Sequence, residues 1–183
     1  MFRDVLPAMY ELLEEASPGK YQKLAAQHIY SIPDSKKPLL VLEDLKPEGF
    51  RMAEGLHGVN MDHCLLVLRN LARFHAASLA LRQKQPEMFQ PFTSTIFREE
   101  LKSALERFFP VYIKQLAEEV EKWPEYERFA AKLHQLSHNA MDIFINAVER
   151  KEDEFTVLAH GDLWLNNVMF GYSESSGEVE DVR

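Results

Sequence analysis

An α+β fold is expected from this sequence, on three observations. Two short apolar runs near the N-terminus bracket a turn of structure-breaking residues, long stretches of helical apolar spacing fill the middle, and two short apolar runs near the C-terminus enclose a polar loop. The chain of 183 residues is 46% hydrophobic, which is material for a real core. Its formal charge of -8 comes from 29 acidic against 21 basic residues with no basic stripe, so the surface repels phosphate backbones and nucleic acid is excluded as an expected partner.

The first element is a short helix over residues 7–16, with Met9, Leu12 and Leu13 on one side and Ser17-Pro18-Gly19 closing it. Glu11, Glu14 and Glu15 are its solvated face. Residues 24–32 and 39–45 then read as two strands of a hairpin, joined by Pro33-Asp34-Ser35-Lys36-Lys37-Pro38. From Asn60, a plausible N-cap, to about residue 82 the positions Met61, Leu65, Leu68, Leu71, Ala72, His75 and Leu79 recur at helical spacing. That stripe is expected to face the core and to carry His75 with it, in support of the polar loop.

Pro86 closes that helix. A helical region over residues 96–122, interrupted at Pro110, and a longer helix over residues 125–150 follow. The inner stripe of the second is expected at Phe129, Leu133, Leu136, Ala140, Phe144, Ala147 and Val148. Cys64, the single cysteine, can close no intramolecular disulfide and is expected as a small core residue. No signal peptide and no run near the ~20 apolar residues of a membrane helix is apparent, so a cytoplasmic location and no membrane partner are expected.

The chemistry concentrates in the polar loop. Residues 155–159 and 168–170 read as strands, and between them stand His160, Gly161, Asp162 and Asn167. Asp162 and Asn167 are five apart, the spacing at which a kinase catalytic loop places the Asp that orients the attacking hydroxyl and the Asn that ligates magnesium. A hard cation takes oxygen ligands, and a neutral amide supplies one without repelling phosphate. His160 would brace the loop by hydrogen bonding. The plainer alternative is a polar turn whose side chains satisfy backbone groups between two strands.

Three stretches carry a family resemblance. His160-Gly161-Asp162-Leu163-Trp164-Leu165-Asn166-Asn167-Val168-Met169-Phe170 resembles the catalytic loop of the ecdysteroid-kinase-like group, also called choline/ethanolamine-kinase-like, in the aminoglycoside phosphotransferase superfamily. Leu40-Val41-Leu42-Glu43-Asp44-Leu45 with Gly49-Phe50 resembles its last N-lobe strand and hinge, and Leu71-Ala72-Arg73-Phe74-His75-Ala76-Ala77-Ser78 its first large C-lobe helix.

The resemblance implies a bilobal, protein-kinase-like fold with a residual N-lobe over residues 1–45 and an incomplete, mostly helical C-lobe over residues 46–183. It implies an ATP-dependent phosphotransferase for a small-molecule alcohol, an ecdysteroid or related apolar alcohol, with Asp162 and His160 catalytic, Asn167 a magnesium ligand, and the backbone of Glu43, Asp44 and Leu45 holding the adenine. Trp164 stands where kinases of protein Ser or Thr keep a Lys, which agrees with a small-molecule acceptor. Phe92, Phe97, Phe108, Phe109, Tyr112, Trp123, Tyr126 and Phe129 supply aromatic surface for a pocket.

The family's phosphate-binding Lys and its Asp-Phe-Gln metal segment have no counterpart here, and the chain is expected to be a fragment cut at both ends. Enzymatic turnover by the chain as written is therefore left open. The alternative is a catalytically inactive kinase-like fragment that binds or scaffolds. Glu178, Glu180 and Asp181 in the polar turn over residues 171–181 are expected to be solvated. A metal-dependent hydrolase built on His160 and Asp162 is disfavoured, because no second His/Asp cluster at ligand spacing accompanies them.

Overall fold

The computed structural model describes residues 1–33, 35–53, 59–92, 99–148 and 155–183. They form two compact units, one of Met1–Gln90 with Thr156–Arg183 and one of Pro91–Phe155. Helix and sheet are mixed throughout the first, as an α+β chain requires.

In the first unit, helix α1 (Val5–Ala16) starts two residues earlier than its sequence pattern and buries Val5, Leu6 and Met9. Glu11, Glu14 and Glu15 lie on its exposed side. Strands β1 (His28–Ile32) and β2 (Leu39–Leu42) pair antiparallel, with His28 opposite Leu42 and Ile32 opposite Leu39. The first is shorter than expected, because the amides of Leu24 and Ala25 are taken by the Tyr10 hydroxyl of α1, at 3.0 and 3.2 Å, and so leave the ladder. Burial raises the pKa of that phenol above its ordinary value, while the two amides it accepts from pull the other way.

Helix α2 (Met61–Lys84) begins where the sequence indicates. Asn60 accepts from the backbone N–H groups of Asp62 and His63 at 3.0 and 3.2 Å, satisfying two donors that the first turn otherwise orphans. Its packed face differs from the expected stripe. His63, Asn70, Ala77, Ser78 and Leu81 are buried, whereas Met61 and Leu68 are mostly exposed. The long aliphatic side chains defined the apolar stripe, but α1 approaches over the small residues, where Val5 and Met9 meet Ala77, Leu81 and Phe89. Met9 is fully enclosed, worth about 1.5–3 kcal/mol for burying such a side chain.

Cys64 is exposed rather than in the core. By length and composition α2 is also apolar enough to cross a membrane, the one such helix among the described residues, which differs from the expectation that no run comes near that length. It carries Arg69 and Arg73 in its middle and packs against α1 and the C-terminal hairpin.

That hairpin is strands β3 (Phe170–Tyr172) and β4 (Val179–Val182), paired antiparallel. The polar turn expected over residues 171–181 is thus shorter, and its last residues are strand. Gly171 is closely packed: a Cβ there would sit 3.3 Å from both Phe50 and the Asp181 Cβ, so those neighbours would have to give by a few tenths of an ångström. Val168, Phe170 and Val182 form a second buried cluster, lined by Leu66 and Val67 of α2.

The second unit is a helical hairpin, α3 (Glu99–Val120) and α4 (Glu127–Val148). Expected helix over residues 96–98 and 149–150 lies outside the described residues. The interruption expected at Pro110 is absent, and α3 runs through it. The cost is one backbone bond, to a carbonyl on exposed Glu106 that water can serve. The inner stripe of α4 is rotated from its expected place: Ala130, Ser137, Ala140 and Met141 are buried and Phe129 and Leu136 exposed. Among the α3 side chains described, Ala117 and Val120 are buried, so small side chains sit at the seam between the helices.

Candidate active site

The polar loop is held at both ends by elements of the first unit. On the downstream side Phe170 exchanges two backbone bonds with Arg51, at 2.8 and 3.0 Å, and Met169 exchanges two with Arg183, at 2.9 and 3.0 Å. Phe170 is fully buried and meets the His63 ring edge-on, with centroids 4.7 Å apart. His63 is itself fixed from both nitrogens, to Asn60 Oδ1 at 2.7 Å and to the Tyr172 hydroxyl at 3.1 Å. Residues 155–159, upstream, are not a strand. Among the described residues no partner strand reaches them, and the Leu158 N–H instead donates to Ser78 Oγ of α2 at 3.1 Å. Arg82 of α2 donates to Thr156 Oγ1.

Between these anchors the three candidate residues come together. His160 Nδ1 accepts from the Asp162 N–H at 3.3 Å, which is the brace expected of it. Gly161 between them has φ +83°, a backbone that L side chains adopt only with strain. A short 3₁₀ turn over Leu165–Asn167 then brings the chain back, and the Asn167 amide donates to the Asp162 carboxylate at 2.7 Å and to its carbonyl at 2.9 Å. Both Asn167 N–H groups are thereby committed, leaving Oδ1 as an oxygen with no hydrogen bond among the described residues. His160, Asp162 and Asn167 are all exposed, so none of them is retained for packing.

Glu43, Asp44 and Leu45 follow β2 directly. The Glu43 N–H is taken by the Gln27 carbonyl at 2.9 Å, and the Leu45 carbonyl accepts from Glu48 and Phe50. Asp44 turns its carboxylate onto the Lys46 N–H at 3.1 Å. The Glu43 carbonyl and the Leu45 N–H make no backbone bond among the described residues. The Glu43 carboxylate accepts from the Gln27 N–H and has Lys23 3.7 Å away, and the first of these in particular holds its pKa below the ordinary value. From here the chain runs through buried Leu45 and Phe50 to Arg51, the residue that bonds Phe170. Residues 43–45 and the polar loop thus share one continuous backbone connection.

Asp181 is engaged by the Arg183 guanidinium at 2.6 Å and by the Val182 N–H at 2.8 Å, while Glu178 and Glu180 are exposed. Among the described residues no three His, Cys, Asp or Glu side chains are grouped to hold a metal. Of the expected pocket aromatics, Phe97 lies outside the described residues. Trp123, Tyr126 and Phe129 cluster at the α3–α4 turn, Phe108 stacks with Tyr112, and Phe109 meets Phe144.

Two features escape the sequence pattern. His75 is only half-buried and makes no hydrogen bond to the loop among the described residues, and Ser78, one turn on, supports the loop instead. His63 is the second. Its signal was available, since a polar side chain three residues past an Asn N-cap lies within reach of the cap.

No curated protein and no solved structure matches the chain. A model of the ecdysteroid kinase-like family matches it over residues 1–183. A match over all 183 residues makes the chain a member of the ecdysteroid kinase-like family, with the kinase-like fold and small-molecule kinase-like character that the family implies.

Proposed function

We propose that the protein is an ATP-dependent phosphotransferase that acts on the hydroxyl of a small-molecule alcohol, an apolar one of ecdysteroid type. In this reading residues 1–45 belong to the N-lobe and residues 46–183 to the C-lobe of a bilobal kinase-like fold. The observation that carries it is the pair of bonds from the Asn167 amide to Asp162, because it turns a polar turn into a two-oxygen site. Asp162 keeps carboxylate capacity for an acceptor hydroxyl, and Asn167 presents Oδ1 outward.

The donor set suits a hard cation, since an amide oxygen beside a carboxylate matches what magnesium takes, with phosphate oxygens and water completing its shell. Asn167 Oδ1 would hold that cation, and His160 would keep the Asp162 backbone from turning away. Magnesium, when bound, neutralises charge on the transferring phosphoryl group. Asp162 accepts the acceptor's hydroxyl proton as the oxygen attacks, and positioning supplies most of the remainder. The Glu43 carbonyl and Leu45 N–H are an acceptor and a donor two residues apart, suited to the edge of an adenine, with the Asp44 carboxylate turned aside onto Lys46.

The test is phosphate transfer from labelled ATP to a panel of alcohols including ecdysteroids, with wild type and Asp162→Asn side by side. Magnesium-dependent transfer that falls about 10²–10⁴-fold in the variant is expected. Absence of both transfer and magnesium-dependent ATP binding would favour a binding protein of kinase-like fold and overturn the proposal.

A further inference from the structure

We propose that Ser78 is a positioning residue for the catalytic loop, fixing through the Leu158 amide the point from which the chain climbs to Asp162. The inference rests on the phosphotransfer reading above. Ser78 is 1% exposed, so its hydroxyl must find partners inside the protein. It donates to the His75 carbonyl at 2.8 Å, one turn back in α2. That commits its one proton and leaves only acceptor capacity, which the Leu158 N–H uses at 3.1 Å.

The bond does what a sheet would otherwise do. Among the described residues no strand lies beside residues 155–159, so the Leu158 N–H has no ladder partner there, and the Leu158 side chain packs against the cluster of Val5, Met9, Ala77, Leu81 and Phe89. Amide and side chain are therefore registered on the same turn of α2, four residues ahead of Asp162. Arg82 adds a second hold on Thr156.

The same helix also lines the downstream cluster, through Leu66 and Val67. These lie 11 or 12 residues from Ser78, roughly 17 Å along a helix axis, so one rigid rod spaces the two ends of the loop. Without Ser78 the downstream end stays fixed, while the upstream end keeps only the packing of the Leu158 side chain and the Arg82 bond to Thr156 and can shift. A displacement of order 1 Å in a positioned group costs about 10²-fold in rate.

The experiment compares wild type, Ser78→Ala and Ser78→Thr, with Ser78→Cys in place of alanine should that variant unfold, since a thiol keeps the volume but accepts weakly. Amide hydrogen exchange is read at Leu158, with Leu13 of α1 as the reference for global opening, alongside kcat and KM. In Ser78→Ala, Leu158 is expected to exchange about tenfold faster at unchanged Leu13 exchange, the loss of one ordinary hydrogen bond. On the same variant kcat is expected to fall about 10–100-fold with KM for ATP within about twofold of wild type, and Ser78→Thr to recover both. Wild-type exchange at Leu158 in the variant overturns the proposal, as does an unchanged kcat in an active enzyme. Faster Leu158 exchange in a protein whose wild type transfers no phosphate removes the phosphotransfer reading and leaves the hold of Ser78 on the loop standing.

Discussion

Downstream, the polar loop is anchored by a buried phenylalanine, a two-stranded hairpin and a backbone bridge to Arg51; upstream it is anchored by two side chains of a helix. Residues 155–159 and 168–170 are alike in sequence, short and apolar with a β-branched residue or two. Only the second is joined to strand. The difference lies in what is nearby: β4 and Arg51 offer backbone donors and acceptors to residues 169–172, while residues 155–159 face a helix whose backbone is already satisfied. A helix can hold an extended segment only through side chains, so Ser78 and Arg82 take the place of a ladder.

The sharpest way to test that division is to separate chemistry from anchoring. Asp162→Asn keeps an oxygen for the Asn167 amide and touches neither anchor. It is expected to lower phosphotransfer about 10²–10⁴-fold while unfolding free energy moves by no more than about 0.5 kcal/mol, as measured by chemical denaturation. A large stability loss there would mean that the loop itself carries the fold.

The anchors should then rank by burial. Phe170→Ala empties a fully enclosed site and is expected to cost about 3–5 kcal/mol in the same assay. Leu158→Ala, at a partly buried position, should cost nearer 2 kcal/mol, the low end for such truncations. Equal losses at the two sites would break the distinction between a packed and a tethered arm.

Asn60→Ala tests the helix that serves both arms. It removes the N-cap of α2 and the partner of His63 Nδ1, and is expected to destabilise by about 1–2 kcal/mol. Exchange at Met169 and Phe170 should rise more than at Leu158, because the cap lies at the downstream end of the helix.

The smallest effect is expected outside the loop. The Glu43 carboxyl has a folded pKa below its unfolded value, so its contribution is present above the unfolded pKa and is lost as pH falls through the folded one. Wild type should lose slightly more stability than Glu43→Gln between about pH 6 and pH 3, a window that spans an ordinary Glu pKa of about 4.3. Identical pH profiles would mean that the Gln27 and Lys23 contacts do not persist in solution.

Much of this was legible in the residues. Asn60 announced the start of α2, Pro33 to Pro38 the hairpin turn, and the spacing of Asp162 and Asn167 the loop, because caps, breakers and five-residue spacings are local facts. The faces of the helices were less legible. On α2 the pattern favoured Met61, Leu65 and Leu68, yet the packed positions include Ala77, Ser78 and Asn70, since a close neighbour selects for small side chains and a hydropathy pattern weighs large ones. Pro110 misled for a similar reason. It removes one bond and its ring crowds the Glu106 carbonyl, and α3 nevertheless continues through it with that residue exposed to water.

By itself, then, the sequence determined the start of α2, the position of the hairpin turn and the spacing at which Asp162 and Asn167 meet, all of which depend on neighbours within about five positions. Tertiary structure decided which of two similar apolar runs became strand, which face of α2 was buried, and that Ser78 rather than His75 supports the loop. Those outcomes depend on which backbone donors stand opposite a segment once the chain has folded, and residues 80 positions apart, such as Ser78 and Leu158, leave no periodic trace of meeting.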